Sequence, residues 1–346
     1  MIKNVLCCVM VFLMVFSCKP TADHIHVEDE IVEIKVPEYA IVIHGGAGTI
    51  QRENMSAEKD SSYRAALNAA LDIGEKILAD GGSALDAVEA TIHLMEDSPL
   101  FNAGRGAVFT HDGRNAHDAS VMVGSTQMAG ASTGTSNVKH PISLARAVME
   151  QSAHVMMSGE GAESFAAEVG LEQVDPKYFY TERRWNSLQR ILKKEEAKIE
   201  LSEDDIDKKH GTVGCVALDK NGNIVAGTST GGMTNKRYDR IGDSPVIGAG
   251  TFADNASCGV SATGHGEYFI RYTVARDIAA MMEYGGYTLE EAGEKIINEK
   301  LVEKGGTGGV VALDRKGNIT MPFNTSGMYR GWRKPGESYV GIYKGE

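Results

Sequence analysis

The chain has 346 residues, long enough to bury a sizeable core, with a formal charge of −12, 24% charged residues and 42% hydrophobic ones. An acidic balance of that size excludes the basic footprint a nucleic-acid surface needs, and the rest is ordinary globular composition. The forty glycines are the departure, and they imply many tight turns and close backbone approaches.

In chain order, the first eighteen residues read as an export signal to be kept out of the fold. Lys3 opens it, and Val5 to Phe16 is an apolar run too short to span a bilayer. It ends in Val-Phe-Ser-Cys18, which resembles the lipobox of bacterial lipoproteins; the other reading is an ordinary secretory signal in which Cys18 is incidental. Residues 19–38, polar and carrying Pro20 and Pro37, read as a tether. The expected location is therefore outside the cytoplasm, as a periplasmic or cell-surface lipoprotein of a bacterium. Of five cysteines, Cys215 and Cys258 alone fall in the body, so no disulfide framework is expected.

Tyr39 to His44 predicts a strand stopped by Gly45-Gly46-Ala47-Gly48, a weak match to a phosphate loop because the GK[ST] ending is missing. Helical spacing follows over 61–79, 84–95, 143–151 and 160–169, with short strands in FNAGRGAVFTHDGRNAHDASVM between the second and third. Residues 181–209 are dense in mixed charge and read as a solvated helix running into a flexible linker. The segment GTVGCVALDKNGN from Gly211 recurs as GTGGVVALDRKGN from Gly306, each copy predicting a β-hairpin. Residues 266–284 and 289–303 read as helices. The order is not the strict alternation of a parallel doubly wound sheet, so antiparallel sheets packed between helix layers are expected, an α+β fold.

The Gly211-Thr212 junction carries the candidate chemistry. A threonine hydroxyl is a poor nucleophile and needs a base beside it. Cleavage of that bond would supply one on the same residue, an α-amine whose ordinary pKa of about 7.7–8.0 leaves a useful neutral fraction. Glycine before the threonine tolerates the backbone strain of an N-to-O shift. Downstream, Arg240 and Asp243 read either as a clamp for an amino-acid zwitterion or as a surface ion pair of sequence neighbours. Thr263 and Gly264, within TGHGE, offer a hydroxyl and an N–H for an oxyanion hole. Thr307, in the second copy of the repeat, lacks this company and reads as structural.

IHGGAG at 43–48, FNAGRGAVFT at 101–110, HDASVM at 117–122, HGTVGCVALD at 210–219, TSTGG at 228–232, RIGDSP at 240–245, GAGTFADN at 248–255 and TGHGE at 263–267 together resemble the plant-type (isoaspartyl) asparaginases. These belong to the N-terminal nucleophile hydrolases. The resemblance implies a four-layer αββα sandwich, autocleaved between Gly211 and Thr212 and assembled as an (αβ)2 dimer of heterodimers. It makes Thr212 the nucleophile, activated by Thr230, with Thr263 and Gly264 as oxyanion hole. Arg240 would bind the substrate α-carboxylate, and Asp243 and the Gly266 carbonyl its α-ammonium. No catalytic cofactor is implied, but a structural sodium is, held by main-chain oxygens of the loop containing Met95, Glu96, Ser98, Phe101, Ala103 and Arg105. The substrates implied are L-asparagine and β-aspartyl dipeptides. Alternatives are glycosylasparaginase chemistry, toward which the export signal leans, and an unprocessed lipoprotein that binds aspartate-like ligands.

Overall fold

A computed structural model describes residues 36–199 and 211–346. The export signal, Cys18 and most of the tether lie outside the described residues, as do 200–209 of the expected linker.

Strand β1 (Ala40–Gly48) is apolar at every position up to His44 because it is buried on both sides. Ile41 and Ile43 face one core, Ala40 and Val42 the other. The same double burial gives β5 (Val213–Leu218) its unbroken VGCVAL run, where a half-exposed strand would alternate with polar residues. These two pair antiparallel at the centre of a sheet completed by β2 (His117–Val123), β3 (Ala129–Thr135), β4 (Met156–Ser158), β6 (Ile224–Thr230), β11 (Gly327–Lys334) and β12 (Glu337–Tyr343). The order is β12-β11-β1-β5-β6-β2-β3-β4, antiparallel except for the β3–β4 pair. A second, antiparallel sheet runs β10-β9-β8-β7, from Ile319–Thr320, Gly308–Asp314, Cys258–Gly264 and Thr251–Ala253.

The molecule is a mixed α/β structure. Helices α1 (Ala57–Ala79), α2 (Ala84–Asp97) and α3 (Pro141–Gln151) lie on one face of the large sheet and seal a core of Leu67, Leu71, Val88 and Ile92 against Ile41, Ile43 and Cys215. The small sheet covers the opposite face. Ser261 of β8 approaches β5 so closely that a Cβ on Gly214 would lie 1.9 Å from its Oγ, so only glycine fits there. Beyond the small sheet pack α7 (Val274–Gly285) and α8, which starts at Leu289–Glu294 and continues through a π-turn at Lys295–Lys300 to Leu301–Glu303.

Caps explain the starts. Ser56 Oγ accepts from Lys59 N, and Ser83 Oγ from Asp86 N, so α1 begins four residues before the apolar spacing suggests. Both copies of the repeat are hairpins, turning on Asp219 and Asp314, whose carboxylates each accept two backbone N–H groups of their own turn. Cys215 and Cys258 are buried free thiols.

Two expectations are corrected. The helix read over 266–284 is two, α6 (Gly266–Arg271) and α7, separated at Thr273, whose φ of 46° is left-handed. The amides of Ala275 and Arg276 leave the helical pattern to donate to Ala249 and Gly248 carbonyls. The solvated helix read at the start of 181–209 is present as α5 (Glu182–Glu196), but it is docked rather than solvated. Leu188 and Ile191 are buried, Trp185 stands edge-on to Phe109 at 5.3 Å, and Arg183 donates to the Pro99 and Leu100 carbonyls. An α4 helix (Gly159–Glu168) completes the helices named here.

Candidate active site

Strand register brings the first pair together. Val213 is opposite Ser229 in the β5–β6 ladder, which sets Thr212, just before β5, beside Thr230 at the end of β6. Their hydroxyl oxygens are 3.1 Å apart, and the Thr212 Oγ lies 2.6 Å from the Gly211 carbonyl oxygen. That carbonyl also accepts from Thr230 Oγ at 2.9 Å and from Asn102 Nδ2 at 2.8 Å. Two donors aimed at one carbonyl oxygen are the arrangement that would stabilise charge developing on it if that carbonyl were attacked. Gly211 has a φ of 150°, and a Cβ on Gly46, at +111°, would approach Gly211 Cα to 3.3 Å.

Asn102 was not singled out from sequence. Its second Nδ2 proton reaches the Gly232 carbonyl at 2.8 Å and its Oδ1 accepts from Val108 N at 2.9 Å, so the amide is fixed in orientation and fully used. Asn102→Ala should therefore slow cleavage of the Gly211–Thr212 bond by about 100- to 1,000-fold without unfolding the chain. A gel time course at matched circular dichroism reads it, and an unchanged rate would remove Asn102 from the processing step.

His44 was missed as well. It is wholly buried, with Nδ1 3.2 Å from the Thr212 carbonyl oxygen and Nε2 3.0 Å from Ser261 Oγ. A carbonyl can only accept, so Nδ1 carries the proton and Nε2 faces the serine hydroxyl. Burial pulls its pKa down to about 3, so it is neutral at any working pH. It holds the backbone of Thr212 in place and bridges the two sheets.

Ser261 and Thr263 project from the same face of β8, two residues apart, toward the large sheet. Among the described residues the buried Thr263 hydroxyl has no hydrogen-bond partner, and neither has Oδ2 of Asp243. Buried polar atoms are rarely left unpaired, so each keeps hydrogen-bonding capacity to offer. Gly264 ends β8 and Gly266 opens α6. A Cβ on Gly266 would come within 2.8 Å of both Arg240 Nη2 and Asp243 Oδ1, which brings the three expected ligand-binding residues to one point. Burial pushes the Asp243 carboxyl up to about 7, against the pull of Arg240.

Arg240 and Asp243 are thus not a surface ion pair. The Arg240 guanidinium instead grips both oxygens of Glu267, Nε at 2.8 Å and Nη2 at 2.9 Å. Burial raises the Glu267 pKa, but the bonds and charge of Arg240 outweigh it and hold the carboxylate at about 2. A ligand carboxylate arriving at Arg240 has to exchange with this one. HDASVM contributes Asp118, whose carboxylate lies 3.5 Å from the buried Lys236 ammonium.

Two glycines after α2 pack closely against main-chain carbonyls. A Cβ on Gly104 would meet the Glu96 oxygen at 2.4 Å, and one on Gly106 would meet those of Phe101 at 1.9 Å and Ser98 at 3.0 Å. Such hard oxygen donors suit an alkali cation. The Met95 and Ala103 carbonyls accept backbone N–H groups from Ser98 and Gly106, and Arg105 stacks its guanidinium over Tyr178. The side chains of His93, Glu96 and His140 also offer ligand atoms within 4.8 Å of one another. Their imidazoles stack face to face at 4.0 Å, while Glu96 Oε1 is taken by Ser229 Oγ and Ile142 N.

A profile of the asparaginase family matches residues 37–342. The isoaspartyl peptidase of Escherichia coli is 52% identical over 307 residues, 88% of this chain and 96% of that protein. The isoaspartyl peptidase/L-asparaginase of Xenopus laevis is 40% identical over 306 residues (88% and 96%), and that of Mus musculus 38% over 302 (87% and 90%). Likeness of that extent, over the residues that build the site, establishes that the chain belongs to the asparaginase family.

Proposed function

We propose that the protein is an isoaspartyl peptidase and L-asparaginase that activates itself by cutting the Gly211–Thr212 bond. The observation that carries this is the Thr212 hydroxyl against a Gly211 carbonyl already polarised by Asn102 and Thr230. In processing, Thr212 Oγ bonds to the Gly211 carbonyl carbon, the C–N bond breaks, and the hydroxyl proton ends on the departing nitrogen. Water then opens the ester, leaving a Gly211 carboxylate and a free Thr212 hydroxyl and α-amine.

In turnover the α-amine takes the hydroxyl proton as Thr212 attacks the side-chain carbonyl of a β-aspartyl group. Thr263 Oγ and the Gly264 N–H stabilise the oxyanion, Arg240 holds the α-carboxylate, and Asp243 with the Gly266 carbonyl holds the α-ammonium. The protonated amine delivers its proton to the leaving nitrogen, and water hydrolyses the aspartyl ester. Nucleophile and base share one residue, so the chemistry calls for no cofactor. The main-chain carbonyls of Glu96, Ser98 and Phe101 would help hold a sodium ion that stiffens the loop carrying Asn102. We read the packed layers as the αββα sandwich of the N-terminal nucleophile hydrolases.

The names of the relatives favour this reading over a glycosylasparaginase. Intact mass and N-terminal sequencing test the processing, with a 135-residue fragment beginning Thr-Val-Gly-Cys as the expected result. Ammonia release from L-asparagine and leucine release from β-aspartyl-leucine test the activity. A persistent single chain that still binds aspartate would favour the ligand-binding alternative. We further propose a lipid anchor at Cys18 and an (αβ)2 assembly, which membrane fractionation of a Cys18→Ala variant and light scattering respectively check.

A further inference from the structure

The leaving nitrogen must lie beside the nitrogen of Thr212, because that amine protonates it. This flank of Thr212 is bounded by Gly46, where a Cβ would stand 3.4 Å from Thr212 N and 3.3 Å from Gly211 Cα. A cavity of about 290 Å³ reaches the same place, with Gly46, Asn102 and Gly211 in its wall. The Arg240 clamp is not part of it, so this space lies apart from the groups that hold the aspartyl head.

Among the described residues its charged side chains are Lys59, Arg183 and Arg184, with no aspartate or glutamate. None of the three cations makes an ion pair with a described residue. Arg183 is committed to neutral acceptors, donating from Nη1 to the Tyr63 hydroxyl at 3.0 Å and from Nη2 to two carbonyls at 2.8 Å. Arg184 donates its Nε to the Gly106 carbonyl at 2.8 Å, and its Nη groups have no partner among the described residues. Burial, with Arg183 beside it, pulls the Arg184 pKa down to about 9. A half-buried guanidinium with unused donors and no counter-charge among the described residues is costly, and an incoming anion relieves it. The remaining wall is mixed: Gln51, Asn54 and Asn102 are polar, while Tyr63 and Tyr329, stacked at 4.1 Å, lie beside Leu100 and Met55.

We propose that this cavity is the leaving-group subsite and that Arg184, with Lys59 and Arg183 around it, binds the free α-carboxylate of the amino acid released from a β-aspartyl dipeptide. The proposal rests on the isoaspartyl peptidase reading and adds what that reading leaves open, the groups that select the leaving side. L-Asparagine, which releases ammonia, places nothing there.

The test compares β-aspartyl-leucine, β-aspartyl-leucinamide and L-asparagine on the processed enzyme and on Arg184→Met, which keeps the aliphatic stem and deletes the charge. Wild-type enzyme should favour the acid over the amide by about 10- to 100-fold in kcat/KM, as a charge-assisted contact would give. The variant should lose that preference, chiefly through KM, while L-asparagine hydrolysis changes less than about twofold. Equal losses on all three substrates would make Arg184 a structural residue and overturn the proposal, as would a wild-type enzyme that treats acid and amide alike. Should Arg184→Met fail to process, the wild-type acid-to-amide ratio and a Lys59→Met variant still decide. A processed protein inactive on all three overturns the parent reading and the subsite together.

Discussion

Thr212→Ala should yield one uncut chain with no detectable turnover of L-asparagine or β-aspartyl-leucine. On the mechanism proposed above, the hydroxyl it removes serves twice, as the nucleophile that cuts the chain and as the one that attacks substrate. No neighbour replaces it. The Thr230 hydroxyl has a single proton, which goes to the Gly211 carbonyl, and its oxygen accepts from Gly232 N at 2.9 Å, so it is spent as a positioning group. His44 cannot raise a substitute nucleophile, because it is locked between Thr212 and Ser261 and both ring nitrogens are occupied. The expected loss is therefore the whole of the covalent pathway, at least about 10⁴-fold in rate, the scale on which removal of a nucleophile is felt. A gel and an intact mass read the processing, and a coupled ammonia assay reads the turnover. Two chains in this variant, the second starting at position 212, would transfer the processing nucleophile to another residue.

The β5–β6 hairpin was legible because its information is local. An apolar run, an Asp-centred turn and a second run fix the register, and the register alone sets Thr212 beside Thr230. Arg240 and Asp243 were legible only as a choice between a clamp and a surface ion pair, and their place beside Gly266, with Arg240 paired to Glu267, excludes the latter. The residues that were missed act across long separations. Asn102 meets Gly211 across 109 positions and His44 meets Ser261 across 217, and neither carries a local pattern. Glu267 sat in view within TGHGE, but its grip on Arg240 needs the turn from β8 into α6.

The error over α5 has a different origin. Its composition is that of a solvated segment, and most of its surface is solvated, yet its attachment depends on two apolar side chains and on arginines that donate to backbone carbonyls. Arginine stems cover apolar surface while their heads find acceptors, so charge density misreports burial. Composition also could not foresee the break at Thr273. A β-branched residue in left-handed backbone is disfavoured, and the hydrogen bonds from Ala275 and Arg276 to the 248–249 turn are what hold it there.

Asp243→Asn should all but abolish activity and yet raise stability at pH 8. The side chain is 4% exposed, its Oδ2 has no partner among the described residues, and burial pushes its pKa from 3.8 to about 7. A carboxyl whose folded pKa lies above its unfolded one is stabilising, relative to higher pH, while it keeps its proton. That contribution is complete below about 4 and is lost as pH rises through about 7. The asparagine never ionises and so escapes the loss. Its melting temperature should exceed that of the parent by several degrees at pH 8, with the gap closing toward pH 4.

The same ionisation is what a substrate ammonium needs, since a protonated carboxyl offers it little. KM for L-asparagine should fall as pH rises from 6 through about 7 and then level, while kcat climbs with deprotonation of the Thr212 amine, ordinarily near 7.7–8.0. The variant should lose at least about 100-fold in kcat/KM, the scale of a buried charge-assisted bond left unmade. Melting curves at pH 5 and 8 beside a pH series of KM decide the matter. A less stable variant at pH 8, or a KM flat between pH 6 and 8, would mean that Asp243 is already ionised and balanced from within. The stability forgone at neutral pH is then the consequence of keeping one bare carboxylate ready for a charge that only the substrate brings.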